Sequence, residues 1–188
     1  MKVKKLEEVN DYVSVKLCEF QGTSFNDIAY KVGINPHLIV SSKLSTVNLV
    51  RQMFEYVGLN QIELETEFSP LKFSLKTVRL KENGVPKESM SFEQVNFMTL
   101  VDEQWECSPL YKKFNETVFL FIVFQSEKIG SNEILFFKGT KVWEMPPDIL
   151  NGKLKAMWSK TKAIVECGVE FTPKPSGKKR LGKIIYQA

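Results

Sequence analysis

Histidine is almost missing from this sequence, with His37 alone among 188 residues. A zinc site built from histidine and cysteine is therefore close to excluded, since such sites draw on several of these ligands at short spacing. Ser-His-Asp and Cys-His catalysis would both have to use His37, which follows Gly33-Ile34-Asn35-Pro36 in a turn with no nucleophile motif around it. Cysteine is also scarce: Cys18, Cys107 and Cys167 are odd in number, far apart and form no Cys-x-x-Cys pair. They read as reduced and mostly buried thiols. No apolar run approaches the roughly 20 residues that span a bilayer. No apolar segment precedes Glu7 and Glu8, so a secretory signal is not expected and the cytoplasm is the default compartment. Internal repeats and low-complexity tracts are lacking too.

What is there is an ordinary globular composition, 43% apolar and 26% charged, at a length that fits one domain with a sizeable core. The net charge of +4 is modest but unevenly placed. Residues 151–188 hold nine basic side chains against two acidic ones, whereas residues 1–70 hold seven against nine. A basic end on a near-neutral body suits contact with a phosphate backbone, although a solvated tail would have the same composition.

The pattern divides the chain into a helical part (about 1–60), a strand-rich core (about 61–145) and a helix with a basic tail (146–188). Residues 11–21 are weakly amphipathic and stop at Gly22. Ser24 with Asp27 three positions on predicts a capped helix ended by Gly33. Ser45 is placed to cap a third helix, in which Val47, Val50, Phe54 and Val57 recur at helical spacing before Gly58. Leu71, Phe73 and Leu75 then alternate with Lys72, Ser74 and Lys76, predicting a strand over 71–80 with one buried face. Asn83-Gly84 predicts a turn into a second strand near 89–97. The apolar run 117–124 reads as a central strand, and strands at 133–137 and 141–144 as a hairpin about Lys138-Gly139-Thr140. A helix over about 147–166, with Leu154, Met157, Trp158 and Val165 inward, and a short strand at 169–172 complete a mixed α/β (α+β) layer architecture.

Lys72, Ser74 and Lys76 lie two apart on one strand, so they share a face. Metal-dependent nucleases of the PD-(D/E)xK type use this geometry, with an acid two residues before a lysine. The carboxylates hold magnesium, which activates water, and the lysine stabilises developing charge. Here the lysine position is Lys76, but Ser74 stands where the acid would be.

The segment 73–80 (FSLKTVRL), the block 86–92 (PKESMSF), and the later blocks 136–147 (FFKGTKVWEMPP) and 151–158 (NGKLKAMW) resemble the MutH family. That family includes a mismatch-repair nicking endonuclease and type II restriction endonucleases of the Sau-three-A kind, both acting at GATC. The resemblance extends over roughly residues 24–172 and lies nearest the second, C-terminal copy found in the two-copy enzymes, which has lost its acids and binds a further GATC as an effector. It implies a restriction-endonuclease-like fold with a mixed central sheet flanked by helices. On the family's spacing Glu67 matches the Asp, Ser74 the Glu and Lys76 the Lys. Phe54 matches a further Glu on a helix ending in glycine, with Glu55 one residue away.

The resemblance thus implies a non-cleaving DNA-binding effector module of a GATC-specific type II restriction system, a C-terminal fragment of a longer enzyme. Its vestigial positions would be Phe54, Glu67, Ser74 and Lys76. It would hold no metal itself, although active relatives use magnesium. Its partners would be double-stranded DNA and a catalytic copy of the same fold. Candidate DNA contacts are Lys43, where the family places a basic residue, Lys72 and Lys76 on the strand, Lys112 and Lys113 ahead of the central strand, and Lys174, Lys178, Lys179, Arg180 and Lys183 in the tail. The family's base-reading Arg-Pro motif is not found before Ala188, so weak preference for GATC is expected. Two other readings compete. One is an active magnesium-dependent endonuclease using Glu67 with Glu63, Glu65 or Glu88. The other is a helix-turn-helix regulator over residues 24–54, which would need an exposed third helix.

Overall fold

In a computed structural model, residues 2–35, 43–90, 92 and 95–168 are described. They form two compact units, one from the described residues up to 90 together with 116–144, the other from the described residues between 92 and 115 together with 145–168.

The first unit opens with α1 (Lys2–Lys16) and a 3₁₀ turn (Cys18–Phe20), stopped at Gly22, whose φ of 73° suits a residue without a Cβ. Ser24 caps α2 (Phe25–Lys31), its Oγ accepting the Asp27 N–H at 3.2 Å. The Asp27 carboxylate accepts the Ser24 hydroxyl at 2.6 Å, which ties off the cap. The third helix, α3 (Lys43–Tyr56), begins two residues before Ser45, so Ser45 lies in its first turn and does not cap it. Its inward face is Thr46, Leu49, Val50, Met53 and Phe54, while Val47 remains 39% exposed.

A helix that the strand-like reading of residues 61–80 did not anticipate follows, α4 (Gln61–Glu67). A capping box starts it: Asn60 Oδ1 accepts the Glu63 N–H at 2.9 Å, and Glu63 Oε2 accepts the Asn60 N–H at 3.3 Å. Only then comes β1 (Lys72–Leu80). The helix was missed because seven residues are too few to display a helical period.

The sheet has three strands in the order β1-β2-β3, with β2 (Thr117–Ile129) parallel to β1 and antiparallel to β3 (Asn132–Trp143). As its apolar run predicts, β2 is central. Val118, Leu120, Ile122 and Phe124 point into the core shared with α1, α2 and α3. On the opposite face Phe119, Phe121 and Trp143 pack ring against ring, with centroids 5.7–6.3 Å apart. The Lys138-Gly139-Thr140 turn is not formed. The chain turns at Gly130 instead, and β3 runs through Gly139 with a bulge, Val123 facing Gly139 and Phe124 facing Phe137. The outer edge of β3 is covered by residues 22–24, with Gly22 N donating to Phe137 O and Phe137 N to Thr23 O, both at 3.0 Å.

Among the described residues near 89–97 the expected second strand is not seen either. Pro86 makes an isolated antiparallel bridge to Leu80, the described residues beyond it carry no strand, and Phe97 already opens a helical turn, α5 (Phe97–Leu100).

The second unit contains α5, a 3₁₀ turn (Trp105–Cys107), α6 (Pro109–Glu116, whose last residue joins the first unit) and a long helical segment. That segment is α7 (Pro147–Ile149), a π-helical turn (Leu150–Leu154) and α8 (Lys155–Glu166). Trp105, Leu100, Leu150 and Trp158 form its interior, with the two indoles 5.5 Å apart. Trp158 is inward as predicted, but Met157 is 54% exposed, because the π turn rotates the helix face and brings Leu150 inward. All three cysteines are exposed rather than buried, each falling in or beside a turn at the surface. The strand expected at 169–172 lies outside the described residues. No described helix is long and apolar enough to cross a membrane.

Candidate functional site

The first unit holds a cleft of about 1290 Å³. One wall is the face of α3 with Val47, Val50, Arg51, Phe54 and Glu55; the floor is β1 from Leu75 to Arg79. The start of α4 and the segment Pro86 to Met90 close its ends. Helix α3 presents this face because its other side, through Leu49 and Met53, is fixed in the core. Leu75 was expected on a buried face with Phe73. Phe73 is 6% exposed, whereas Leu75 is 41% exposed and opens into the cleft. The strand leaves the core partway along its length.

Lys76 and Phe54 line this cleft together, as does Glu55 beside Phe54. Phe54 is 7% exposed and packed into the wall, so an apolar ring stands where the resemblance puts a carboxylate. Ser74 is half-buried, and Glu67 is exposed as the last residue of α4; neither is among the cleft's lining residues. Lys72 is exposed and pairs with Glu116 at 3.6 Å. Lys43 is the first residue of α3. Lys112, exposed, and Lys113, half-buried, lie on α6 in the second unit. His37, Lys174, Lys178, Lys179, Arg180 and Lys183 lie outside the described residues.

The remaining acids near β1 are engaged in holding the fold. Glu63 caps α4. Glu65 Oε1 accepts Gln61 Nε2 at 2.8 Å and Phe73 N at 3.1 Å, clamping the helix to the first turn of the strand. The Gln61 hydrogen bond, then the Phe73 N–H and the charge of Lys72, hold the Glu65 carboxyl below its ordinary range. Glu88 forms a side-on pair with Arg79, whose Nε lies 3.4 Å from Glu88 Oε2, and Glu55 accepts Gln52 Nε2 at 3.1 Å. Among the described residues, no three Asp, Glu, His or Cys side chains converge as metal ligands would.

Three cations in this cleft, Arg51, Arg79 and Lys87, were missed by the sequence reading. Arg51 sits one helical turn before Phe54 and Glu55, and Lys87 lies in the 86–92 block. The first was legible in principle, since residues three and four apart share a helix face. Lys87 pairs with Glu133 at 2.8 Å. That pair, and then the Ser126 hydroxyl, hold the Glu133 carboxyl low.

A mixed sheet flanked by helices, with a cleft that carries Lys76 at the edge strand, makes this an α/β protein, and the family match of residues 60–151 implies the restriction-endonuclease-like class. Residues 60–151 match the family described as DNA mismatch repair enzyme MutH, a span holding α4 and all three strands. The chain is related to the MutH family. It is also 36% identical over 115 residues to the type II restriction enzyme Sau3AI of Staphylococcus aureus. That alignment covers 58% of this chain and 23% of the enzyme, so the chain spans under a quarter of the relative it matches. The family match begins at Asn60, so it does not reach Phe54 and Glu55 on α3.

Proposed function

We propose that this chain is a DNA-binding module that does not cut by itself, the effector part of a type II restriction system acting at GATC. The observation that carries this reading is the composition of one cleft: Arg51, Lys76, Arg79 and Lys87 line it together with the apolar ring of Phe54, the residue that the resemblance aligns with an acid. Cations without convergent carboxylates suit a phosphate backbone, which needs positive charge and no metal. The tail cations Lys174, Lys178, Lys179, Arg180 and Lys183 would extend the same surface chemistry. The partners are double-stranded DNA and a catalytic copy of the same fold.

A gel-shift titration paired with a magnesium nicking assay on GATC duplexes tests the reading. Binding without nicking is the expected result; specific nicking abolished by Lys76→Ala would overturn it. An active endonuclease is the second reading, favoured by Glu63 and Glu88, with Glu55, lining the cleft beside Lys76. A helix-turn-helix regulator is disfavoured, since Leu49, Val50 and Met53 of α3 are at most 1% exposed and hold that helix in the core.

A further inference from the structure

Four lysines on the long helical segment of the second unit fall into two pairs, Lys153 with Lys160 and Lys155 with Lys162. Members of a pair are seven residues apart, close to two full helical turns, so they share a face. Lys162 follows Lys160 by two residues, a rotation of about 200° on an α-helix, which carries the second pair to nearly the opposite side. The fold uses the two pairs differently. Lys155 Nζ lies 3.2 Å from Glu106 Oε1. Lys162 Nζ donates to Glu103 O at 2.7 Å, sits 3.9 Å from Glu166 Oε1 and lies over the Trp158 ring, 5.5 Å from its centroid. This pair fastens α8 to the segment from Glu103 to Glu106. Lys153 and Lys160 are exposed, and neither makes a hydrogen bond, ion pair or ring contact among the described residues.

Their side of the helix also lacks compensating charge. On a solvated helix, acids three or four residues from a lysine support the helix and offset the cation. Here those offsets hold Ile149, Ala156, Met157, Ala163 and Ile164, with Met157 54% exposed between the two lysines. The nearest acids in sequence are Asp148, beyond that reach of Lys153, and Glu166, which Lys162 holds. We propose that Lys153 and Lys160 form a phosphate-contact ridge on the second unit, which grips the backbone of duplex DNA. The proposal rests on the DNA-binding reading above and adds a face that neither the cleft nor the cations at 174–183 include. Charge complementarity names the occupant. The two lysines lie about 10 Å apart along the helix at about 1.5 Å per residue, and a duplex strand carries a phosphate about every 3.4 Å of its axis. Two flexible stems therefore reach two phosphates of one backbone, and Ala156 and Met157 between them present no carboxylate to repel it. Such contacts touch no base edge, so they add affinity without preference for GATC.

Duplex binding by the full chain, followed across a range of salt concentrations, tests the ridge. Lys153→Gln together with Lys160→Gln is expected to make the log–log salt slope shallower by about 1.8, two increments of about 0.9. Affinity for GATC and scrambled duplexes should fall by the same factor. An unchanged thermal midpoint certifies the fold, since neither side chain holds a contact within it. In wild type, acetylation of lysines with and without duplex should show Lys153 and Lys160 protected by the DNA. If wild type binds duplex while the double variant keeps its slope and the two lysines stay reactive, the ridge is overturned and the DNA-binding reading stands. If the double variant instead loses retention on phosphatidylserine vesicles at an unchanged DNA slope, the ridge belongs to a lipid surface and the proposal is again overturned. Failure of wild type to bind duplex at low salt would sink both readings.

Discussion

Phe54 and Ser74 stand where the MutH resemblance puts carboxylates, and neither side chain carries a charge. A carboxylate holds a cation through negative charge; a phenyl ring offers none, and a hydroxyl offers a neutral dipole. At Phe54 the replacement has also become part of the packing, at 7% exposure against α3 and the cleft wall. Ser74→Glu alone is therefore expected to leave magnesium-dependent nicking of GATC duplex undetectable, because one restored acid does not make a ligand set. Phe54→Ala should cost about 3–5 kcal/mol in urea denaturation, the range for removing a buried aromatic ring. Glu65 acts at the same scale in the opposite sense, as a charge the fold needs. Its pKa is lowered in the folded state by Gln61 and Phe73, so its contribution is complete above the unfolded value, about 4.3, and is lost as pH falls through the lower folded value. Urea midpoints measured downward from pH 5 should fall more steeply for the wild type than for Glu65→Gln.

At the scale of elements, two features set the shape of the cleft and could be read only in part. Asn60 and Glu63 are a capping signal visible in the sequence, but the seven-residue helix they start was hidden between apolar stretches. It carries Glu67 to a helix end rather than to the start of a strand. Asn60→Ala is expected to lower stability by about 1 kcal/mol, the usual cost of losing such a cap. The other feature is β3, where Lys138-Gly139-Thr140 has the composition of a turn and serves as a bulge. Gly139 has φ 112°, and a Cβ there would lie 3.1 Å from Gln21 Oε1. Gly139→Ala should therefore cost about 1–3 kcal/mol, with circular dichroism checking that the sheet survives.

For the whole molecule the question is how charge is distributed over a binding surface. Each phosphate neutralised on duplex DNA adds about −0.9 to the log–log dependence of affinity on salt. Neutralising Arg51, Lys76 and Lys87 together should make that slope shallower by up to roughly three such increments, and neutralising Lys178, Lys179 and Arg180 should do so separately. If only the tail triple changes the slope, the cleft is not a DNA surface and the effector reading loses its carrying observation.

Composition and pattern were enough to establish a mixed α/β protein with a central apolar strand at 117–124 and helices closed at Gly33 and Gly58. These are local properties: a two-residue or 3.6-residue period and a glycine stop are written in neighbouring residues. Which cations share the cleft with Lys76, that Leu75 opens into it while Phe73 is buried, and that the strand after Asn83-Gly84 stops at one bridge are non-local. Arg51 meets Lys76 only because Leu49 and Met53 commit the far face of α3 to the core. Lys87 pairs with Glu133, which lies 46 residues away, and Glu88 with Arg79. Pairing between distant partners has no period, and so only the tertiary structure decided it.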